Sequence, residues 1–354
     1  WGKPGWFANV AAEHDAARNG VALFDQSSFS KLLVEGRDAE TALQRICAND
    51  VGVAAGACVY TGLLNERGGY ESDLTVTRLG ADRFLLVTGS AQTTRDQDWI
   101  RKNLEPNEHV SVTDITASLA VLSVMGPKSR DLLSRLTSAD LSSEAFAFGT
   151  SREIGLGQAV VRATRLTYVG ELGWELYVPV EMAAGVYEDL VDAGEEFGLM
   201  HAGYYALESL RVEKGYRAWG HELSPDYTPF EAGLGFAVSL AKNTGFTGRE
   251  ALLEQKSKGV TKRLVQFVLE DPEAMLWGGE LVLRNGEPVG DIKSAAFGHT
   301  LGAATGLGYV NNGAGVDRAF IEAGTYEIDI AGDVVAAEAY LRSPYDPKAE
   351  RVKA

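Results

Sequence analysis

The sequence predicts an α+β protein rather than a doubly wound parallel sheet, closed at its C-terminal end by an all-β domain. Three observations carry this. Strand-like and helix-like stretches alternate through the first two thirds, yet several strand pairs are joined by turns too short for a parallel crossover. From about Thr261 onward helical periodicity vanishes, and short extended runs recur around Gly-Gly-Glu, Asn-Gly-Glu and Gly-Asp, the spacing of a small all-β domain or barrel. The 354 residues also exceed what one core accommodates, so two or three domains are expected.

Taken in order, residues 1–7 (W-G-K-P-G-W-F) form an aromatic, glycine-rich linker laid onto something else. Residues 13–19 are a short polar helix, and 21–24 and 29–35 are apolar and extended. Residues 38–46 place Ala39, Leu43 and Ile46 on one helical stripe. Two strands, 59–64 and 70–77, flank a turn with glycines at 68 and 69. A strand at 83–88 and a helix at 93–104, ended before Pro106, come next. A strand at 118–124 runs into Pro127, which suits the first turn of a helix at 128–136. Extended segments at 158–168 and 174–178 enclose the turn V-G-E-L-G, and helices follow at 181–197 and 202–214. Residues 239–258 read as a connector. Strands are expected at 263–269, 280–283, 288–293, 308–310, 326–330 and 334–340.

Composition excludes several classes. Asp and Glu number 49 against 33 Lys and Arg, a net charge of −16 with no basic patch, which argues against nucleic acid and against an anionic membrane surface. No apolar run of about 18 residues offers a membrane span. Cys47 and Cys58 stand in apolar settings as inert buried thiols, consistent with a reducing compartment: the cytoplasm, or the mitochondrial matrix in a eukaryote. A first residue of Trp1 rather than Met points to a processed or excised piece. No G-x-G-x-x-G follows a strand, no Walker loop or G-x-S-x-G elbow occurs, and the five histidines lack metal-ligand spacing.

What remains are carboxylates and one arginine in aromatic, glycine-framed settings. In the hairpin, Tyr70, Ser72, Leu74 and Val76 share one face, and Glu71, Asp73, Thr75 and Thr77 the other. Acidic residues are disfavoured within strands, so Asp73 belongs either to a solvated outer face or to a cleft. Glu175, in Y-V-G-E-L-G-W-E-L-Y, is either a rim charge or a buried acceptor for a ligand's N–H groups. Arg211 follows Glu208 by three residues, so the two could simply pair on a helix surface.

These stretches together resemble the aminomethyltransferase (glycine cleavage T-protein) family, and most closely the C-terminal half of dimethylglycine and sarcosine dehydrogenases and oxidases. The resemblance rests on Y-T-G-L-L-N-E-R-G-G-Y-E-S-D-L-T-V-T-R-L, V-M-G-P-K-S-R, T-Y-V-G-E-L-G-W-E-L-Y-V-P, A-L-E-S-L-R-V-E-K-G-Y-R-A-W-G, P-F-E-A-G-L-G-F and S-P-Y-D-P. It implies three domains in a ring around a hole that holds tetrahydrofolate. Residues 1–245 are the folate-binding region, with a second lobe inserted at roughly 46–115, and 261–347 are the C-terminal barrel. It implies Asp73 as the catalytic acid at the folate N10, Tyr168 and Glu175 on the pterin side, Arg211 as a folate-binding arginine and Tyr345 as a late tyrosine of the site. Tyr60, Phe84, Leu86, Phe236 and Arg263 line the folate less specifically. The implied reaction makes 5,10-methylenetetrahydrofolate from an iminium or formaldehyde, which is produced from a methylated glycine by a flavoprotein partner or a preceding FAD domain outside this chain. A non-catalytic folate-binding module, or a demethylase making 5-methyltetrahydrofolate, are the alternatives. The T-protein carries paired aspartates where this chain has Ser72-Asp73, and a tyrosine where it has Trp219. Both departures weigh against a lipoyl-protein partner.

Overall fold

The structure, a computed structural model, describes residues 2–354; the start of the expected linker at Trp1 lies outside them. Two antiparallel-rich sheets and a barrel make up the chain. The first sheet orders its five strands Cys58–Leu64, Tyr70–Arg78, Arg83–Thr88, Ser30–Glu35 and Ser111–Asp114, all antiparallel. It takes in Ser30–Glu35 and so begins upstream of the insertion expected near 46. The second has six strands in the order Met200–His201, Ala22–Asp25, Leu119–Met125, Gly173–Pro179, Ala159–Thr164, Ser151–Leu156, parallel only at the first pair. A closed six-stranded barrel uses Lys262–Leu269 and the strands after it. The α+β class and the C-terminal barrel are thus as the sequence predicts.

Each sheet has an outer face covered by helices. Leu32, Val34, Leu74, Val76, Phe84 and Leu86 pack on Leu43 and Ile46 of the helix Ala39–Ile46 and on Ile100 of Thr93–Lys102. Leu122, Val124, Trp174, Leu176 and Val178 pack on Leu132 and Leu133 of Ser129–Leu133 and on Val186 and Leu190 of Ala183–Gly194. Period-two alternation therefore turns the opposite faces inward, toward each other. There Leu85 of the first sheet meets Val121 and Tyr177 of the second in an apolar seam.

The helix Tyr204–Lys214 joins these sheets to the barrel. It is buried from Ala206 on apart from half-buried Glu208, although it carries Arg211, Glu213 and Lys214. Ser209 Oγ donates to Phe297 O at 2.7 Å, and Arg211 Nη2 to Ser294 Oγ at 2.8 Å, both on the barrel strand Glu287–Gly298. The first helix runs Phe7–Asn19, longer than expected, with Trp6 stacked on Tyr205 at 4.7 Å. The expected connector contains a helix, Arg249–Lys258, whose one buried residue is Leu252; a helix with so little apolar face shows no period to read. No helix among the described residues is long and apolar enough to cross a membrane.

Candidate active site

The hairpin places Asp73 on the inward face of the first sheet. Asp73 pairs with Gly62, and Tyr60 with Thr75, so Tyr60 and Asp73 are diagonal neighbours. Tyr60 OH donates to Asp73 Oδ2 at 2.9 Å. A bulge between Leu63 and Leu64 shifts the register at the turn, which corrects one sequence expectation: Tyr70 does not stay on the face of Leu74. Its ring lies over Gly62, where a Cβ would stand 2.6 Å from Tyr70 Cε1. Glycine at 62 is what leaves room for an aromatic ring beside the acid.

Asp73 keeps partial exposure while protein crowds it from all sides. Tyr60 and Tyr168 share this character. Burial pushes the Asp73 carboxyl up to about 6, against the opposing bond from Tyr60. An acid poised there gives up and takes back a proton near neutrality.

Glu175 faces the same inter-sheet space from the strand Gly173–Pro179. It is 8% exposed, and Oε2 accepts from Tyr177 OH at 2.6 Å. Oε1 has no partner among the described residues, and burial raises the carboxyl above its usual range. A desolvated carboxylate with one bond is suited to a ligand presenting N–H donors. Cys58 lies near Glu175 and bonds Thr77 at 3.3 Å. Thr77 is four residues along the strand from Asp73, or about 13 Å, so the two acids stand well apart in the inter-sheet space.

Arg211 is not available to a ligand. Its five N–H donors go to Glu208 Oε2 (2.8 and 2.6 Å), Tyr216 O (3.2 Å), Glu222 Oε2 (3.1 Å) and Ser294 Oγ (2.8 Å). The pairing with Glu208 is real, but the arginine is buried and also anchors the barrel. The geometry corrects two further expectations. Phe84 and Leu86 sit in the outer core with Leu74 and Val76, on the face away from Asp73; their neighbours Leu85 and Val87 face inward. Tyr345 donates to Glu171, with the Arg18 guanidinium 4.0 Å from its ring; Tyr216, stacked on Tyr168 with ring centroids 6.1 Å apart, lies beside the same charges. Phe236 stacks near Tyr60, ring centroids 6.3 Å apart, at an exposed edge. Tyr168 OH donates to Arg217 O at 2.9 Å. Arg263 lies farther out, on the barrel strand Lys262–Leu269.

Sequence reasoning missed Tyr177, Arg217, Glu222 and Asp96. Tyr177 was within reach, since it lies two residues from Glu175 on one strand face. Asp96 had no local signal. It is fully buried behind the hairpin, accepting from Ser72 Oγ at 2.8 Å, and Gln92 Nε2 donates to the same hydroxyl at 2.8 Å. A second aspartate at position 72 would press its charge against Asp96, which accounts for the serine.

Burial pushes the Asp96 carboxyl up to about 6, against bonds from Ser72 and Thr88. The folded state therefore binds this proton more tightly than the unfolded chain, whose aspartates titrate near about 4. Stability contributed by the proton is present at low pH and lost as pH rises from about 4 to about 6. Asp96→Asn is expected to flatten that loss, raising stability at pH 7.5 by up to about 2–3 kcal/mol. Urea unfolding of both proteins at pH 5 and 7.5 checks this; an equal pH dependence in the two would refute it.

Comparison with known proteins follows the same division. Residues 1–242 match the family model described as the GCVT N-terminal domain, and 262–346 that of the glycine cleavage T-protein C-terminal barrel domain. The chain is 42% identical over 353 residues to 4-methylaminobutanoate oxidase (formaldehyde-forming) of Paenarthrobacter nicotinovorans, covering 100% of this chain and 42% of that protein. It is 39% identical over 354 residues to the mitochondrial sarcosine dehydrogenase of Homo sapiens, covering 96% and 38%. It therefore spans well under half the length of either relative. Among solved structures it is similar to the glycine cleavage system aminomethyltransferase T of Bartonella henselae, with a TM-score of 0.82, 28% identity, and coverage of 95% of this chain and 89% of that one.

Proposed function

The chain belongs to the glycine cleavage T-protein family, and from that premise we propose that it binds tetrahydrofolate in the inter-sheet recess and helps load a one-carbon unit onto it, giving 5,10-methylenetetrahydrofolate. The observation that carries the reading is the pair of acids. Asp73, near neutrality, has one carboxylate oxygen tied to Tyr60, and Glu175 is buried with Oε1 open. The orphaned Glu175 oxygen and the aromatic side chains of Tyr60, Tyr168 and Phe236 fit a flat, N–H-rich reduced pterin and its benzoyl ring.

Tetrahydrofolate, when bound, supplies the amine nitrogens that accept the carbon. The protein supplies the rest. Glu175 accepts paired N–H donors and fixes orientation. Asp73 Oδ1 takes a proton from an amine nitrogen, while Tyr60 holds Oδ2 and limits rotation of the carboxylate. As an anion, Asp73 also steadies a carbon carrying positive charge. The carbon arrives as an iminium or formaldehyde from the oxidative demethylation of a methylated amino acid such as sarcosine or dimethylglycine, and the two N–H protons of the folate leave with the carbon's former nitrogen as the demethylated ammonium or with its former oxygen as water. That oxidation belongs to an FAD-bearing domain or partner, consistent with the share of each relative's length that this chain covers.

Titration calorimetry tests this. The chain is expected to bind tetrahydrofolate at one site, and Glu175→Gln to weaken binding by about 1.5–3 kcal/mol through the loss of charged hydrogen bonds. No binding by the unaltered chain overturns the function; unaltered affinity in the variant removes Glu175 from it.

A further inference from the structure

We propose that Arg217 and Arg263 form a carboxylate-binding site at the barrel edge of the recess. This rests on the tetrahydrofolate reading and extends it to the anionic part of what the recess receives.

Arg18 meets Glu171 and Glu213, and Arg211 meets Glu208 and Glu222, whereas the buried Lys31 donates to the carbonyls of Ser27 and Leu119. Arg217 and Arg263 form no ion pair among the described residues. Arg217 donates through Nε to Ala232 O at 2.9 Å and through Nη1 to Gly215 O; Arg263 donates through Nη1 to Phe230 O at 2.6 Å. Among the described residues their Nη2 ends have no partner, and they converge. They stand 2.9 and 3.6 Å from the point a Cβ would occupy on Gly233, whose φ of +74° favours glycine.

Further groups point the same way. The Tyr70 hydroxyl is fully buried without a partner and lies close to Arg217 and Asp73. Arg263 lines a cleft of about 320 Å³ with Arg318 and Arg342, and Arg342 shares an adjoining groove with Arg217. Two nearby acids are partly engaged, although Glu222 Oε1 is buried without a partner among the described residues and its charge acts on Arg217. Glu222 turns Oε2 to Arg211 and to Ala218 N at 2.9 Å, and Asp317 Oδ1 caps Phe320 N at 2.7 Å. Burial disfavours the charge on both arginines, a cost that an anion between them offsets. A carboxylate matches the planar guanidinium fork.

Two sources offer that carboxylate: the glutamyl end of the folate, or the acid group of the amino-acid donor. Calorimetry and transfer assays on the intact chain separate them. If the glutamyl end binds, tetrahydrofolate binds ~10–100-fold more tightly than tetrahydropteroate, which lacks it, and Arg263→Gln abolishes the difference. If the donor's acid binds, the two folates bind alike, and formaldehyde premixed with glycine is transferred faster than formaldehyde premixed with methylamine; Arg263→Gln removes that advantage. Arg217→Lys, which keeps a cation near the two loop carbonyls, repeats either pattern more weakly. The site is refuted if neither contrast is seen in the unaltered chain, or if Arg263→Gln changes neither. Failure of tetrahydrofolate itself to bind counts against the earlier reading. The arginine pair is then judged with p-aminobenzoylglutamate alone, and is overturned if this does not bind or binds Arg263→Gln equally.

Discussion

Asp73→Asn is expected to slow formation of methylenetetrahydrofolate by ~10²–10⁴-fold while changing tetrahydrofolate affinity little. The substitution keeps the size of the side chain and lets its amide oxygen accept from Tyr60 OH, so the recess keeps its shape. It removes the group whose carboxyl is pushed up to about 6, and with it both proton transfer and the negative charge opposite the cationic carbon. In the unaltered protein the rate should fall as pH drops below about 6, because the base becomes protonated. Tyr60→Phe removes the bond that opposes the upward shift, so this limb should move to higher pH. Stopped-flow assay of formaldehyde conversion across pH 5–8 measures both. A wild-type rate in Asp73→Asn would reduce the chain to a folate-binding module.

The second large effect is on stability. Glu213→Gln should lower the unfolding free energy by ~3–5 kcal/mol, the cost of breaking a buried ion pair from one side. Glu213 is fully buried. Oε2 faces His14 Nε2 at 3.1 Å and accepts from Arg18 Nη2 at 2.8 Å; Oε1 accepts from Thr300 N at 2.9 Å and Leu301 N at 3.0 Å. One carboxylate thus ties the first helix, the joining helix and a barrel turn. Burial works against its charge, but His14 and Arg18 outweigh burial and hold the carboxyl at about 2. Its stabilisation is therefore complete above the unfolded glutamate range near about 4.3 and is lost as pH falls through about 2. Glutamine can still serve the two amides, but it turns an NH₂ toward Arg18 or leaves that cation with Glu171 alone. Guanidinium unfolding at pH 7 checks the magnitude; an unchanged midpoint would show that the joint is held by packing instead.

Much of the fold was legible because alternation of period two survives in the strands. The two acids were legible for the same reason: each interrupts an apolar strand from the face opposite its core. What sequence could not show is partnership across distance. Glu222 and Ser294, which occupy Arg211, lie 11 and 83 residues away. Phe84 and Leu86 were assigned to the wrong face because aromatic and apolar residues suit a ligand wall and a core equally well. Tyr70 was misplaced because a bulge leaves no mark in composition.

The strands Tyr70–Arg78 and Gly173–Pro179 are each flanked on both sides within their sheets. Asp73 and Glu175 consequently ride on backbone that opens to hydrogen exchange only when most of a sheet comes apart. Arg217 instead belongs to a loop between the joining helix and the barrel. Of the two arginines, Arg263 shares the barrel strand Lys262–Leu269 and only Arg217 stands on a loop, so amide exchange is expected to be faster at Arg217 than at Asp73, Glu175 or Arg263.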